Sequence, residues 1–304
     1  MTKTQKILLL VAAVLIALGI GLAFGSMRAV DFRWSALDTD PVQEEVFYPE
    51  EPFDSIQVQN LGGDVEIGFH DGKECLVDTL SSQLKSYTVE VQDGVLFVTE
   101  TEKQGKWTDY VNLDIGKQPG VTILLPEKEY KALRAESQSG DVAVTNALDF
   151  ASASVICQSG DIRFAADVSD TLVLKTQSGE IEMNSRSCGK ACIESQSGDA
   201  EVKNTALSGS LSVTTQSGEI DMENVTSQSS MTLRTQSGEI DMERCDAASL
   251  DIESQSGEVE ATLLTGKTFD VESGSGEIDI PRTDEGGVCR IKTSSGDIRV
   301  RIGK

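Results

Sequence analysis

Hydrophobic and polar residues alternate along most of the chain in short runs, and a glycine interrupts them at a nearly constant interval. In one such unit, Leu172 and Leu174 precede Gly179 while Ile181 and Met183 follow it, with polar residues between the apolar ones. Alternation with a period of two places apolar side chains on one face of a β-strand. Each unit is therefore predicted to hold two half-buried strands that meet at the glycine.

This glycine belongs to a Ser-Gly-acid tripeptide that recurs nine times at spacings of 19 or 20 residues. So constant a period predicts a solenoid in which each unit forms one coil and buries its inner face against the next. We predict an all-β fold, a right-handed parallel β-solenoid of about nine coils over residues 131–304. We expect glycine at the corner because a sharp turn favours a positive φ. The corner glycines are Gly140, Gly160, Gly179, Gly198, Gly218, Gly238, Gly257, Gly276 and Gly296.

A third apolar position follows the corner by seven to nine residues in most units. Its recurrence predicts another inward-facing anchor in each coil. The anchors are Leu148, Val168, Cys188, Leu207, Val225, Cys245 and Leu264.

Residues 53–130 lack the tripeptide but keep strand-like alternation. We predict that they form a β-rich module that caps one open end of the solenoid, because an uncovered end exposes strand edges. Asp93 and Gly94 separate two alternating runs, which predicts a hairpin. A second hairpin is predicted around residues 70–73.

The opposite end of the solenoid is expected to finish on the strand 298–302. Arg299 and Arg301 lie on this strand, and Lys304 lies close to it. Charged side chains on an edge strand discourage pairing with other chains. We therefore expect these residues to protect the last edge.

Residues 7–24 form an uncharged run of 18 residues that follows Lys3 and Lys6. At ~1.5 Å per residue, a helix of this length nears the ~30 Å needed to cross a bilayer. The lysines predict that the N-terminus is cytoplasmic and the remainder extracytoplasmic. We predict a cytoplasmic tip at 1–6, a transmembrane helix at 7–26 and an acidic stalk at 27–52. A cleaved signal peptide is the alternative.

Small residues recur at intervals of four within the predicted membrane helix. One helix face lined with small side chains permits close helix–helix contact, so oligomerisation through this face is a hypothesis. The residues are Ala13, Ala17, Gly21 and Gly25.

The formal net charge is −24 at pH 7, and aromatic residues make up 5% of the chain. Nucleic acids and anionic lipid surfaces attract basic patches, so this charge argues against both as partners. Scarcity of aromatic residues argues against stacking platforms for bases. The charge instead suits a surface that faces water, cations or cationic partners.

The residue after each corner glycine is acidic, so stacked coils would align nine carboxylates at ~4.8 Å spacing. Like charges at that distance repel by about 0.9 kcal/mol even in bulk water. Calcium could offset this repulsion. Hydrogen bonds from corner amides, pairing with Lys or Arg, and solvation are the alternatives. The ladder residues are Asp141, Asp161, Glu180, Asp199, Glu219, Glu239, Glu258, Glu277 and Asp297.

No arrangement typical of a catalytic or cofactor site is found in the sequence. His70 is the sole histidine and lies in a predicted turn. The register of Cys157, Cys188, Cys245 and Cys289 in the repeat favours their burial as small apolar groups. An even number of cysteines outside the cytoplasm could instead form disulfides, and six are present. They are Cys75, Cys157, Cys188, Cys192, Cys245 and Cys289.

Three stretches carry a resemblance to a known family. They are FDSIQVQNLGGDVEI at residues 53–67, VTILLPEKEYKALRAESQSGDV at residues 121–142, and the repeated QSGEI corners. Together they resemble the bacterial β-strand-repeat family of "putative adhesins", a domain of unknown function usually held by one N-terminal membrane helix. The resemblance covers residues 53–304 and implies an anchored solenoid at the cell surface. It implies no catalytic residues.

We therefore expect a non-enzymatic surface scaffold or adhesin-like binding module, anchored in the cell membrane and facing an envelope protein or glycan. Some members of the resembled family are encoded beside regulators. The resemblance thus also implies an accessory or sensor role in envelope-stress or transcriptional control. A β-helix enzyme acting on polysaccharides is the second alternative, because such folds can carry clustered acids and bases.

Overall fold

The computed structural model of this protein describes residues 28, 43–82, 84–103, 119–283 and 285–303. Within these residues, no helix has the length and hydrophobicity needed to cross a membrane. The predicted membrane helix at 7–26, with its face of small residues, and the cytoplasmic tip at 1–6 lie outside the described residues. So does the predicted stalk up to residue 42, apart from Arg28.

The described residues form β-strands arranged in two long sheets that meet at the Ser-Gly corners. The strands up to the first regular corner are β1 (Gln43–Phe47), β2 (Ser55–Asn60), β3 (Asp64–Phe69), β4 (Leu76–Ser81), β5 (Lys85–Gln92), β6 (Val95–Glu102), β7 (Gly120–Leu125) and β8 (Glu129–Ser139). The central strands are β9 (Val142–Val144), β10 (Asp149–Ser159), β11 (Ile162–Phe164), β12 (Asp167–Thr176), β13 (Ile181–Met183), β14 (Ser187–Ser195), β15 (Ala200–Lys203), β16 (Ala206–Leu207), β17 (Leu211–Thr215), β18 (Ile220–Glu223) and β19 (Thr226–Thr235). The last strands are β20 (Ile240–Ser254), β21 (Val259–Leu263), β22 (Thr268–Ser273), β23 (Ile278–Asp279), β24 (Val288–Thr293) and β25 (Ile298–Ile302).

We call the sheet whose strands run into the corners the leading sheet, and the sheet whose strands leave them the trailing sheet. The leading sheet has the order β5–β6–β2–β8–β10–β12–β14, then β16 and β17 at one level, then β19–β20–β24–β22. The trailing sheet has the order β1–β4–β7–β3–β9–β11–β13–β15–β18–β20–β21–β25–β23. Strand β20 belongs to both sheets. The pairs β1–β4, β4–β7 and β5–β6 are antiparallel, and the other pairs are parallel.

Parallel stacking in register builds the core as columns of identical positions, which confirms the predicted parallel β-solenoid. One column of the leading sheet joins Leu174, Ile193, Val213, Leu233 and Ile252, and none of these side chains is exposed. Each such side chain contributes about 1.5–3 kcal/mol when fully buried. The alternation visible in the sequence is therefore the inside–outside alternation of each coil.

The nine corner glycines lie in one file, as predicted, but glycine is required at these corners for a different reason from the one predicted. Among them, all within the described chain, Gly140 has a positive φ, of 127°, and it is the sole one that does. A Cβ atom on Gly238 would lie 1.9 Å from the carbonyl oxygen of Gly218 in the neighbouring coil. The other eight glycines meet a neighbouring glycine carbonyl at 1.8–2.2 Å in the same way. Close approach of coils, rather than backbone conformation, therefore requires glycine at these corners.

The third apolar anchor is buried at six of the seven predicted positions, and the exception is Leu264. Leu264 is 39% exposed, whereas Leu263 is fully buried. Strand β21 keeps its period of two as far as Leu263, so the next side chain points outward. The same coil also buries Lys267, whose ammonium group pairs with Asp246 and donates to the carbonyl of Ala247 at 2.8 Å.

The N-terminal strands include one confirmed hairpin and one that was predicted wrongly. Strands β5 and β6 pair antiparallel around a turn in which Asp93 and Gly94 both have positive φ. Strands β3 and β4 do not pair with each other, because β7 lies between them. The segment around residues 70–73 therefore crosses over β7 instead of making a tight turn.

The C-terminal end also differs from the prediction, because the last two coils exchange places. Strands β24 and β25 lie between the coil of β20 and β21 and the coil of β22 and β23. The strand Ile298–Ile302 is therefore internal, and β22 and β23 form the edge. Arg299 and Arg301 consequently lie on an internal strand, and the prediction that they protect the last edge is wrong.

Charge explains this exchange of coils. The final coil carries the bases, and the coils on both sides of it carry acids. Arg299 pairs with Glu258 at 3.0 Å and Glu260 at 2.7 Å on one side, and Arg301 pairs with Asp279 at 2.9 Å on the other. Stacking in chain order would have placed two acidic coils in contact. The inserted coil separates them and neutralises both.

Candidate functional site: an acidic face

Two columns of carboxylates run along the outer surface of the trailing sheet. The first is the central part of the predicted ladder, directly after the corners. The second lies two residues further along each strand, where Glu182, Glu201, Asp221, Asp241 and Glu260 are in register. We call these ten residues the acidic face. Its first column consists of Glu180, Asp199, Glu219, Glu239 and Glu258.

The aspartates of the ladder are tied to the backbone of the adjacent coil. Asp141 accepts a hydrogen bond from the amide of Asp161 at 2.9 Å, and Asp161 accepts one from the amide of Glu180 at 3.0 Å. Asp199 does the same with Glu219 at 2.8 Å. Asp64 and Asp297 make the equivalent bond. Bonds from corner amides were one of the alternatives to calcium, and they stabilise the ionised aspartates.

Arginine side chains flank the acidic face at both ends. Arg163 contacts Asp141 at 3.5 Å and Asp161 at 3.3 Å. Arg299 contacts Glu258, Glu260 and Asp297 at 2.7–3.0 Å. Between these two arginines, Lys203 is the base that pairs with the face in the described chain, and it contacts Glu201. The middle of the acidic face therefore carries a dense, largely unneutralised negative charge.

Burial, together with the neighbouring acids, raises the pKa of two residues of the face. Burial raises the pKa of Glu180, and the neighbouring acids, Asp161 first among them, raise it further. Burial likewise raises the pKa of Asp241, followed by repulsion from Asp221 and Glu260. For these two residues, ionisation therefore carries a free-energy cost, and a cationic group bound beside them would reduce the part that comes from repulsion.

The opposite face of the solenoid carries acids that are paired. On the leading sheet, Lys175 contacts Glu194 at 2.8 Å. Arg234 contacts Asp251 at 2.9 Å and Glu253 at 3.3 Å. The two sheets therefore differ in electrostatic character although they belong to the same repeat.

The corners border the acidic face and form a shallow open groove of about 400 Å³ with it. Its walls come from the Ser-Gly pairs and from first-column acids such as Glu219 and Glu239. Among the residues that the structure describes, no group of three or more His, Cys, Asp or Glu is arranged to hold a metal ion. The geometry therefore presents a broad surface and not an enclosed pocket.

Residues with the chemistry of a catalytic base or nucleophile are engaged elsewhere. His70 Nδ1 accepts from the amide of Gly72 at 3.1 Å, and its Nε2 lies 2.6 Å from the carbonyl oxygen of Glu74. Burial raises the pKa of the Cys157 thiol to about 12. Cys188, Cys245 and Cys289 are also buried, as predicted from their place in the repeat. Cys75 is buried as well, whereas Cys192 is half-buried on the outer surface.

An asparagine column between the two sheets was missed in the sequence. Asn224 donates to Asn204 at 3.1 Å, and Arg244 donates to Asn224 at 2.6 Å. Asn204, Asn224 and Arg244 all have positive φ, which asparagine tolerates better than most residues. Asparagine recurring five or six residues after the corner was the signal that could have revealed it.

The stability of the solenoid should depend on Asp241 in a pH-dependent manner. Because the folded-state pKa of Asp241 lies above the ordinary value of 3.8, its charge destabilises the fold as pH rises through the folded-state pKa. We expect Asp241→Asn to stabilise the protein near neutral pH by up to ~1 kcal/mol, since exposed charges are screened. The gain should disappear as the pH falls below about 4, where both states bind the proton. Urea unfolding of the natural protein and the variant, at neutral pH and at a pH below about 4, measures the difference in their free energies of unfolding.

Glu194→Gln is the matched control of opposite sign. A hydrogen bond from Lys175 lowers the pKa of Glu194, so its charge stabilises the fold above the ordinary pKa and this contribution is lost as pH falls. The control variant should be less stable than the natural protein near neutral pH. A shift of both variants in the same direction would contradict the assignment of repulsion to the acidic face.

Comparison with known proteins agrees with this architecture. The family model described as "Toastrack DUF4097" matches residues 53–261 and 230–304. A comparison with curated proteins finds no match. A structure named "putative lipid binding protein" from Parabacteroides distasonis is 16% identical, covers 87% of this chain and 98% of its own, and superimposes with a TM-score of 0.53. A "putative adhesin" from Bacteroides fragilis is 14% identical, with coverage of 85% and 96% and a TM-score of 0.43. The family match spans most of the chain, and the chain therefore belongs to the Toastrack DUF4097 family.

Proposed function

We propose that this protein is a membrane-anchored, extracytoplasmic and non-enzymatic scaffold whose acidic face binds a basic segment of an envelope protein. The observation that carries the proposal is the double column of carboxylates on one sheet, most of which form no ion pair in the described chain. Strands spaced by ~4.8 Å present these charges as a regular array. A flexible chain rich in Lys or Arg can follow such an array and contact several carboxylates at once.

The contrast between the two sheets supports a binding role for one of them. Surface acids that serve solubility alone are commonly interspersed with bases, as they are on the leading sheet around Arg234. On the trailing sheet, Lys203 contacts Glu201 and Arg299 contacts Glu258 and Glu260. The other seven residues of the acidic face form no ion pair within the described chain. Negative potential of this extent attracts cationic partners and raises their association rate.

The positions of the reactive side chains support a non-enzymatic role. His70 uses both ring nitrogens within its own turn, and the Cys157 thiol is far from ionised at neutral pH. Acids of the trailing sheet follow the repeat, and no local cluster breaks it. General acid–base catalysis instead needs a few groups whose environments push their pKa values apart.

Membrane anchoring rests on the sequence. The uncharged run at residues 7–24 follows two lysines, and this arrangement favours a cytoplasmic N-terminus. Strand β1 then enters the described chain at the outer edge of the trailing sheet. An anchor at this end would leave the acidic face free along the length of the solenoid.

Binding of an oligolysine peptide to the full chain in a non-ionic detergent tests the acidic face. We expect binding that weakens steeply as ionic strength rises. A variant combining Glu219→Gln, Asp221→Asn, Glu239→Gln and Asp241→Asn should bind at least ~10-fold more weakly, because it removes the centre of the array. Fluorescence anisotropy of a labelled peptide gives both affinities.

The control variant changes the net charge equally but elsewhere. It combines Glu127→Gln, Glu129→Gln, Asp149→Asn and Asp170→Asn, all of which are exposed. This variant should keep nearly all of the affinity. Equal losses in the two variants would reduce the effect to net charge and refute a binding face. Resistance of the chain to protease added outside intact cells would refute the extracytoplasmic location.

A further inference from the structure

The end of the solenoid formed by β22 and β23 is apolar and uncovered. Phe269 and Val271 stand above Cys289 and Ile291, and Ile278 stands above Ile298. The three lower side chains are completely buried, whereas Ile278 is 43% exposed and the other two upper side chains are partly exposed. We call the upper side chains, together with Ile280, the end surface.

The strands of the end surface also have unused hydrogen-bonding edges. In the described chain, β22 pairs with β24 alone and β23 pairs with β25 alone. Their other edges present free backbone amide and carbonyl groups. An exposed edge with apolar side chains is a template for pairing with another strand.

The acids on these edge strands are neutralised from below. Asp270 pairs with Arg290 at 3.4 Å, and Glu272 pairs with Lys292 at 3.2 Å. Asp279 pairs with Arg301 at 2.9 Å. Charges therefore repel an approaching acidic chain far less here than on the acidic face.

The other end of the solenoid is built differently. There, antiparallel strands cover the parallel coils: β5 lies outside β6, and β1 and β4 lie outside β7. This cap breaks the parallel stacking pattern and does not offer a surface that matches the uncovered coil. A head-to-tail contact between two copies is therefore not favoured.

We propose that the end surface binds the end surface of a second copy, forming a closed tail-to-tail dimer. Two-fold symmetry makes the contact self-complementary and limits assembly to two chains. Pairing would bury Phe269, Val271 and Ile278 and satisfy the free strand edges. Such pairing does not depend on what the acidic face binds.

The net charge of −24 does not prevent this contact. At physiological ionic strength the Debye length is about 8 Å, which is less than the height of two coils. Charges deeper in each solenoid are therefore largely screened from the partner. The charges that remain within this range include the ion-paired acids of the edge coil, with Glu277 as the nearby acid of the ladder.

Sedimentation equilibrium of the full chain in density-matched detergent tests the proposal. The natural protein should be a dimer. Ile278→Lys and Val271→Lys should each raise the dissociation constant at least ~100-fold, because each would bury an unpaired charge in an apolar contact. Ile156→Lys is the matched control, since Ile156 is 37% exposed on the outer surface of the leading sheet. The control should remain a dimer.

Each result decides the question. A monomeric natural protein would overturn the proposal and leave the end surface to a strand from a different protein. Dimers that persist in both end-surface variants would also overturn it, because the chains would then associate through another region. An unchanged far-UV circular dichroism spectrum and a cooperative unfolding transition of the Ile278→Lys monomer show that the variant has lost the contact and not its fold.

Discussion

Replacing Gly238 by alanine is expected to open the solenoid between two coils. The new Cβ atom would lie 1.9 Å from the carbonyl oxygen of Gly218, and both atoms belong to backbones that neighbouring coils hold in place. To relieve this clash, the two coils must move apart by more than about 1 Å. That movement would break inter-coil hydrogen bonds such as the one from the amide of Ser237 to the carbonyl oxygen of Gln216, which is 3.1 Å long. We expect a loss above ~4 kcal/mol, at the upper end of single substitutions. Urea denaturation measures it.

Gly94→Ala separates steric conflict from backbone strain. Gly94 has a φ of 78°, but a Cβ atom there would meet nothing within 4 Å. Placing alanine in this conformation costs about 1–2 kcal/mol. If the two alanine variants lost the same stability, the contact with the carbonyl group of Gly218 would not be what requires glycine at residue 238, and our explanation of the glycine file would be wrong.

Deleting residues 288–304 is expected to unfold a segment that precedes the deletion. Strands β22 and β23 pair only with the deleted strands in the described chain. Four completely buried side chains, Cys289, Ile291, Ile298 and Val300, would also be lost. We expect amides of residues 268–279 to lose their protection from hydrogen exchange, while coils up to β19 keep theirs.

Deletion of residues 303 and 304 alone provides the control. It leaves β24 and β25 intact and should preserve protection at residues 268–279. If these residues stayed protected after the longer deletion, β22 and β23 would be able to stack directly on β20 and β21. The exchange of the last two coils would then not be needed to hold the edge.

Much of the fold could be predicted because the repeat fixes both the alternation and the period. Leu174 and Ile193 each lie five residues before a corner glycine, and the alternation predicts that residues three or five positions before a corner point inward. The order of the last coils could not be derived in this way, since near-identical repeats can stack in more than one order. Charge carries the missing information: Arg290, Lys292 and Arg299 lie on one coil, between coils whose outward residues are mainly acidic.

The candidate site was predictable in part for a similar reason. The first carboxylate column follows directly from the tripeptide, and its register is confirmed by pairs such as Ile220 with Ile240. The sequence alone does not reveal that Asp and Glu have different roles in this column. In the structure the difference is clear, because Asp199 has the reach to accept the amide of Glu219. The shorter Asp side chain accepts a hydrogen bond from the backbone of the adjacent coil, whereas the longer Glu side chain extends to the outer surface.

The exchange of the last two coils also affects how the protein folds during synthesis. Coils up to β19 and the first part of β20 can stack as soon as the chain reaches the compartment where it folds, because each requires only residues that precede it in the chain. The coil of β22 and β23 cannot take its place until residue 302 has been translated and inserted beneath it. At roughly 5–20 residues per second, this leaves about 1–6 s in which the apolar strands around Phe269 await their partners, when a chaperone would have its best opportunity to bind.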